Sequence, residues 1–207
     1  MRRLSGILLV VTVIALSACK SGPEELICPV GEEYIDDECI DEDGPLICDE
    51  DYVNTNQLCD FMHDDIARKF LLHIPAGYDV KGMPLVVVLH GYSSTAEDIR
   101  TYTEFDDIAN QEGFAVVYPQ GYLLNGFTHF NVGLDSSTVD DVGFVTSLID
   151  YLQDTFLFSD EYVFITGMSN GGYMSYTMVV EHPEYFKAMA SVAGVISYHP
   201  WQIETYE

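Results

Sequence analysis

Basic residues are scarce in this chain of 207 residues. It has 8 Lys and Arg against 34 Asp and Glu, a formal net charge of −26, and after Lys69 the only cations are Lys81, Arg100 and Lys187. Phosphate backbones are bound by clusters of Lys and Arg, so the sequence argues against a nucleic-acid partner. Nearly half of the residues are apolar, which excludes a disordered chain and predicts a globular domain with a sizeable core.

The sequence also lacks an apolar run long enough to cross a bilayer. The run from Ile7 to Leu16 follows Arg2 and Arg3, is too short for a spanning helix, and has the layout of a targeting signal over residues 1–19. It ends in Leu16-Ser17-Ala18-Cys19, which resembles the lipobox of bacterial lipoproteins. That resemblance implies lipidation of Cys19 and an outer-membrane anchor, whereas an ordinary signal cut after Ala18 would release the protein. Both alternatives predict export.

Residues 20–62 form an acidic region with four cysteines and an internal repeat. Leu26-Ile27-Cys28 recurs as Leu46-Ile47-Cys48, so two short units stand in tandem. In an exported chain this spacing predicts two disulfides, with three possible connectivities. We favour the connectivity in which each disulfide joins the two cysteines of one unit. A zinc site is the alternative, although the closely spaced C-x₂-C pairs typical of zinc sites are missing. The favoured pairs are Cys28–Cys39 and Cys48–Cys59.

The remaining residues, 63–207, alternate apolar runs with helical segments. Candidate strands are 69–74, 84–89, 114–118, 162–166 and 188–196, and candidate helices are 95–112, 140–156 and 170–181, with a long loop over 120–138. Pro119 is expected to stop the third strand, Gly113 to end the first helix, and Asp140 to cap the second. This alternation predicts an α/β fold with a mostly parallel sheet and helices on both faces.

One segment has the pattern of a catalytic turn. Gly167-Met168-Ser169-Asn170-Gly171 follows an apolar β-branched run and precedes a periodic segment, which is the strand–turn–helix context of a nucleophile elbow. Small residues on both sides of the serine let its strained turn lie close to the neighbouring strand and helix. The alternative is a plain strand–helix turn that happens to contain serine and glycine. We predict that Ser169 is a nucleophile.

With these segments placed, the chain resembles an α/β-hydrolase, and more narrowly the secreted esterases grouped with polyhydroxybutyrate depolymerases and feruloyl or acetylxylan esterases. The resemblance covers about residues 69–195. It rests on five groups of motifs in the family's order: Ile74-Pro-Ala-Gly-Tyr78, Leu85-Val-Val-Val-Leu-His90-Gly91, Val139-Asp-Asp-Val-Gly-Phe144, Gly167-Met-Ser-Asn-Gly-Gly172, and Glu181-His-Pro183 with Ser191-Val-Ala-Gly194.

The resemblance implies roles for individual residues. Ser169 matches the nucleophile, and the backbone N–H groups of Asn170 and Tyr92 match the two donors of the oxyanion hole. Tyr92, His129 and Phe130 are expected to line the substrate cleft. We expect His90 to pack beneath its loop and not to act as a base. Three further assignments are structural: Asp140 as a helix cap rather than a catalytic acid, and His63 and His73 as surface and strand residues.

The acid and the histidine of a triad follow the serine in this superfamily, and relatives place them beyond the strand that ends near Val195. This chain stops at Glu207, and after His182, at the end of the elbow helix, only His199 is left as a candidate base. The expectation is therefore a copy that lacks its C-terminal part.

Two functions follow from these observations. The first is an extracellular serine esterase that hydrolyses a polyester or the feruloyl or acetyl groups of a polysaccharide through an acyl-enzyme. The second is a catalytically inactive surface-binding protein with a hydrolase fold. The intact elbow favours the first, whereas the missing acid and histidine favour the second or a truncated chain. No pattern in the sequence points to a metal or an organic cofactor.

Overall fold

The structure, a computed structural model, describes residues 52–133 and 137–196, and the backbone of two short segments before them. Those segments are the strands β1 (Glu32–Ile35) and β2 (Glu38–Asp41), which pair as a two-stranded sheet. The cysteine side chains at positions 19, 28, 39 and 48 lie outside the described part, so the lipidation of Cys19 and the pairing of these cysteines stay predictions.

A six-stranded sheet forms the centre of the main unit. Its strand order is β10-β9-β5-β6-β4-β3, and the four strands from β10 to β6 are parallel, whereas β4 is antiparallel to both of its neighbours. The strands are β3 (Cys59–His63), β4 (Ile66–His73), β5 (Leu85–Leu89), β6 (Ala115–Gln120), β7 (Tyr122–Leu124), β8 (Phe127–His129), β9 (Val163–Met168) and β10 (Ala188–Val192), with β7 and β8 forming a separate hairpin. The helices are α1 (Ala96–Thr103), α2 (Phe105–Glu112), α3 (Asp141–Phe156) and α4 (Asn170–Glu181).

Helices cover both faces of this sheet. Alternate residues of β5 belong to different cores: Val87 packs with the side chains of α3 and α4, and Val88 packs with those of α1 and α2. Both valines are buried, as expected for a strand between two helical layers. The predicted α/β class, with a mostly parallel sheet and helices on both faces, is therefore confirmed.

Several element boundaries differ from the prediction: β4 begins at Ile66, β10 ends at Val192, and the predicted loop contains β7 and β8. Two further differences have local reasons. The helix predicted over 95–112 is two helices, because Glu104 adopts the left-handed conformation (φ 51°) and closes α1 with an N–H donated to the oxygen of Arg100. Strand β6 continues through Pro119, which pairs with Phe70 of β4. Proline is tolerated at this position because β6 pairs with β5 only over residues 115–117. An N–H at position 119 would therefore find no acceptor on β5.

The first strand of the sheet begins before residue 63. Strand β3 pairs with β4 along its whole length, and Cys59 and Phe61 are buried in the main core. The sheet therefore includes residues that composition alone assigned to the cysteine-rich region over 20–62. Cys59 is disulfide-bonded, and its partner lies outside the described side chains.

No helix in the described ranges has the length and apolar character needed to cross a membrane.

Candidate active site

Ser169 lies at the carboxyl end of β9, in the one-residue turn before α4. Its backbone angles are φ 53° and ψ −114°, a strained conformation for a residue with a side chain, and Ser169 is exposed to solvent. The turn is held from both sides, because Ser169 N–H donates to the oxygen of Val192 (2.8 Å) and its own oxygen accepts from Tyr173 N–H (2.9 Å). The strand–turn–helix context that the sequence predicted is present.

Glycines on both sides of the serine allow this turn to pack closely. A Cβ placed on Gly167 would lie 2.4 Å from the oxygen of Gly171, and one on Gly171 would lie 2.3 Å from the oxygen of Leu89. These neighbours are backbone atoms, so no rotation of a side chain would relieve the collision. The glycines therefore let α4 begin against the end of β5, which brings Gly91 beside the Ser169 side chain: a Cβ on Gly91 would lie 3.6 Å from the Ser169 Cβ.

Two backbone N–H groups beside the serine are available as donors. Asn170 is the first residue of α4, where an N–H has no acceptor within the helix. Tyr92 follows Gly91 on the loop after β5, and among the described residues its N–H donates to no acceptor. N–H groups that the protein leaves without an acceptor can stabilise the negative oxygen that forms when a nucleophile attacks a carbonyl.

His90 is buried beneath this loop and is held in the neutral state. Its Nε2 accepts from the N–H of Gly121 (2.8 Å), and its Nδ1 lies 2.7 Å from the oxygen of Gly91, which it contacts as a donor. Burial is the main cause that lowers the pKa of His90 to about 4, outweighing the hydrogen bond to Gly91, which raises it. Its geometry is that of a packing residue, as the sequence predicted.

The hairpin loop, defined here as residues 121–132 and containing β7 and β8, lies beside the elbow. The Asn170 side chain binds it with two hydrogen bonds: its Oδ1 accepts from Phe130 N–H (2.7 Å) and its Nδ2 donates to the oxygen of Phe130 (3.0 Å). Asn170 thus has its N–H beside the serine and its side chain on the loop. The sequence singled out only the N–H.

A buried ion pair also holds the hairpin loop in place. Asp141, the first residue of α3, binds the Arg68 guanidinium and also accepts from the N–H of Asn131 (2.6 Å), and both charged side chains are almost completely buried. Arg68 also packs over the ring of Phe144 at 3.9 Å. The sequence did not identify this pair, because Arg68 and Asp141 are far apart along the chain. The prediction for its neighbour is confirmed: Asp140 caps α3 through a hydrogen bond from Gly143 N–H (2.8 Å).

Aromatic side chains around the serine differ from the expected set. His129 and Phe130 are each only 1% exposed, so neither presents a surface to solvent, and Phe130 packs on His90 with ring centroids 4.8 Å apart. The exposed aromatic residues are Tyr92 and Phe127, which stack at 5.6 Å and are about half exposed. Asn125-Gly126, a typical two-residue hairpin turn, is the sequence signal that could have placed Phe127 beside Tyr92.

The other described histidines lie in local contacts. His73 contacts Asn110 at 3.0 Å, His182 contacts Glu184 at 3.0 Å, and His63 lies near Asp140. Within residues 52–133 and 137–196, no histidine forms a hydrogen bond with the hydroxyl of Ser169. His199 lies outside the described residues.

The mixed sheet, its two helical layers and the serine on a strand–helix turn define the α/β-hydrolase fold. The S-formylglutathione hydrolase from Agrobacterium tumefaciens has this fold, with a TM-score of 0.58 at 19% identity over 72% of this chain and 62% of that one. Residues 68–201 match the family model described as Esterase PHB depolymerase. That range is more than half of the chain, so the chain belongs to this esterase family.

Two curated relatives illustrate the breadth of the family. The poly(3-hydroxyalkanoate) depolymerase C of Paucimonas lemoignei is 29% identical over 126 residues, which are 59% of this chain and 30% of that protein. The acetylxylan esterase A of Talaromyces purpureogenus is 28% identical over 120 residues, which are 54% of this chain and 30% of that protein. The chain therefore spans less than half of the length of these relatives.

Proposed function

We propose that this protein is a serine carboxylic ester hydrolase in which Ser169 is the nucleophile. In this mechanism Ser169 Oγ attacks the carbonyl carbon of an ester, the alcohol leaves with a proton, and water then hydrolyses the acyl-enzyme. The observation that carries the proposal is the exposed serine held at a positive φ between two glycines that no other residue can replace without a collision. A plain strand–helix turn has no need of this strain.

The N–H groups of Tyr92 and Asn170 are assigned to the oxyanion hole. As the tetrahedral intermediate forms, negative charge moves to the former carbonyl oxygen, and donors that are already oriented stabilise it without reorganisation. Removing one such donor typically costs about 3 kcal/mol of transition-state stabilisation. His90 is not assigned as the base, because its Nε2 accepts from Gly121 and it stays neutral under its loop. Among the described residues no base and no acid is assigned.

We infer that the substrate is a polyester or an acetyl or feruloyl ester of a polysaccharide. Support comes from the relatives, which are named as a poly(3-hydroxyalkanoate) depolymerase and as acetylxylan and feruloyl esterases. The stacked pair of Tyr92 and Phe127 adds an apolar surface next to the serine, and an apolar acyl group would fit against it. His129 and Phe130 support this surface from beneath.

Export and membrane anchoring belong to the same proposal. The targeting signal over residues 1–19 supports export, and Leu16-Ser-Ala-Cys19 supports a lipid on Cys19. Mass spectrometry of the N-terminal peptide from membrane fractions tests it, since an unmodified N-terminus in a soluble fraction would contradict the anchor.

The activity is tested with a short-chain p-nitrophenyl ester and four proteins. These are the unextended chain, a version extended with the C-terminal segment of a relative, and the Ser169→Ala variant of each. The extended version should hydrolyse the ester rapidly, and Ser169→Ala within it should reduce kcat by about 10⁴ to 10⁶. A protein that has the serine and the oxyanion hole but no base and no acid should keep only about 10³ to 10⁴ over water.

The outcomes separate the alternatives. Rapid, Ser169-dependent turnover by the unextended chain would make His199 the leading candidate for the base, to be tested by His199→Ala. If the extended version hydrolyses no ester although it is folded, the esterase proposal fails and a binding role replaces it.

A further inference from the structure

Three potential metal ligands meet at the turn between β3 and β4, on the side of α3. His63 Nε2 lies 3.7 Å from Asp64 Oδ2 and 3.6 Å from Asp140 Oδ2, and one ligand atom from each residue lies within 4.8 Å of the others. His63 ends β3, Asp64 belongs to the two-residue turn, and Asp140 caps α3. The site is therefore built from two elements that are far apart in sequence.

The imidazole nitrogen in this group has no hydrogen bond. His63 Nε2 is inaccessible to solvent and has no hydrogen-bond partner among the described residues, although it faces the two carboxylates. A buried nitrogen without a partner is unfavourable unless something else binds it. A cation between the three side chains would serve the nitrogen and both carboxylates together.

Glycine at position 143 of α3 leaves room for the side chains of Asp140 and His63. A Cβ on Gly143 would lie 2.2 Å from Asp140 Oδ2 and 2.9 Å from His63 Nε2, so any other residue there would displace both groups. The two carboxylate oxygens of Asp140 make different contacts. Its Oδ1 accepts from Gly143 N–H, which caps the helix, and its Oδ2 faces His63. The cap thus does not occupy the oxygen that would bind a metal.

We propose that His63, Asp64 and Asp140 bind one divalent transition-metal ion, with Zn²⁺ as the ion whose chemistry fits them best. Imidazole nitrogen and carboxylate oxygen both bind zinc, whereas calcium and magnesium prefer oxygen ligands alone. Tetrahedral zinc with bonds of about 2.1 Å places its ligand atoms about 3.4 Å apart, close to the 3.7 and 3.6 Å from His63 Nε2 to the oxygens of Asp64 and Asp140. Asp64 and Asp140 are more than half exposed, so water completes the coordination. The ion fastens the β3–β4 turn to the start of α3.

The experiment uses the full chain after treatment with a chelator. Zn²⁺ binding is measured by calorimetry, and Co²⁺ is used as a visible probe because thiolate ligands would give a charge-transfer band that nitrogen and oxygen ligands do not. We expect one Zn²⁺ per chain, a higher Tm with the metal, and a Co²⁺ spectrum without thiolate bands. His63→Gln and Asp140→Asn should each lower the affinity by at least about 10 to 100-fold.

Matched controls separate this site from general attraction of cations to an acidic protein. Asp65→Asn removes a charge from the same turn but not from the site, and His182→Gln removes a histidine whose ring contacts Glu184 and Tyr185, away from the site. Both should bind Zn²⁺ as the unchanged chain does. Asparagine is also a good helix cap, so Asp140→Asn should fold normally. The proposal is overturned if the unchanged chain binds no Zn²⁺, if His63→Gln binds it equally well, or if Asp65→Asn weakens it as much as Asp140→Asn does.

Discussion

The elbow and the hairpin loop lie side by side, yet different kinds of contact hold them in place. The elbow is fixed by backbone packing: glycines at 167 and 171 let α4 start against the end of β5. The hairpin loop is fixed by side chains from elsewhere in the chain. Asn170 binds Phe130, Asp141 binds Asn131, and His90 accepts from Gly121.

This difference decides how each region tolerates substitution. Where main-chain atoms pack closely, an added side-chain atom destabilises the folded protein, because main-chain neighbours cannot rotate away. A loop held by hydrogen bonds loses them one at a time, and each loss costs the free energy of one or two polar contacts. We therefore expect the largest effects at the elbow glycines and graded effects at the loop's anchors.

The largest effect is expected for Gly171→Ala. The new Cβ would lie 2.3 Å from the oxygen of Leu89 and 2.6 Å from that of His90, so β5 and α4 would have to separate. We expect a loss of at least about 4 kcal/mol in the free energy of unfolding, or failure to fold. Urea denaturation of the purified variant measures it.

Gly126→Ala in the hairpin turn is the matched control. Gly126 has a positive φ of 85°, but a Cβ added there would meet no atom within 4 Å, so only backbone strain opposes alanine at this position. The expected loss is about 1 to 2 kcal/mol. Gly171 has an ordinary helical φ, so a loss at 171 no larger than that at 126 would show that α4 and β5 can separate at little cost and that their close approach does not require the glycine.

The next effect is expected at the buried ion pair. Asp141→Asn would leave the Arg68 guanidinium buried and without its charged partner, and would weaken the acceptor of Asn131 N–H. Breaking a buried pair from one side typically costs about 3 to 5 kcal/mol, and we expect a value near 3 because asparagine keeps one oxygen. Denaturation of Asp141→Asn measures it, with Asp107→Asn on the exposed side of α2 as a control. A loss below about 1 kcal/mol would contradict the assigned role.

The sequence predicted the elbow well because its determinants are local. Gly167, Ser169 and Gly171 are neighbours in the chain, and the β-branched run before them and the periodic segment after them specify the strand and the helix. The same holds for the cap at Asp140. The α/β class also follows from local alternation of strands and helices, and membership of the esterase family is confirmed.

The hairpin loop could not be predicted in the same way. Its anchors join residues 40, 31 and 10 positions apart, and the pair of Arg68 and Asp141 spans 73 positions. Such contacts depend on the order of strands in the sheet, and single-sequence patterns do not encode that order. The resemblance places His129 and Phe130 in the cleft, whereas in the structure it is Phe127 that has the exposed surface.

A pH-dependent loss of stability is expected from His90. The folded protein holds the pKa of His90 at about 4, below its ordinary 6.5, so between these values the unfolded chain binds the extra proton. The stability that neutral His90 contributes is therefore fully present above pH 6.5 and is lost as the pH falls toward 4. The shift corresponds to about 3 kcal/mol over that range.

Unfolding by urea at several pH values between 4 and 7 measures this contribution. Acidic groups add their own slope to the unchanged chain and to a His90→Gln variant alike, so the difference between the two curves isolates His90. We expect the unchanged chain to lose more stability than the variant as the pH falls. Parallel curves would show that His90 keeps an ordinary pKa in the folded protein.

The smallest effect on stability, and the most informative one for catalysis, is expected for Asn170→Ala. Alanine removes both hydrogen bonds to Phe130 but keeps the backbone N–H at position 170, which is the proposed oxyanion donor. Losing two buried hydrogen bonds should cost about 2 kcal/mol of stability. In the extended, active version, kcat should change little, because the donor and Ser169 are unchanged, whereas KM should rise as the hairpin loop and Phe127 shift. A large decrease in kcat at constant KM would instead mean that the Asn170 side chain itself positions the elbow, and the division between a backbone-held elbow and a side-chain-held loop would be wrong.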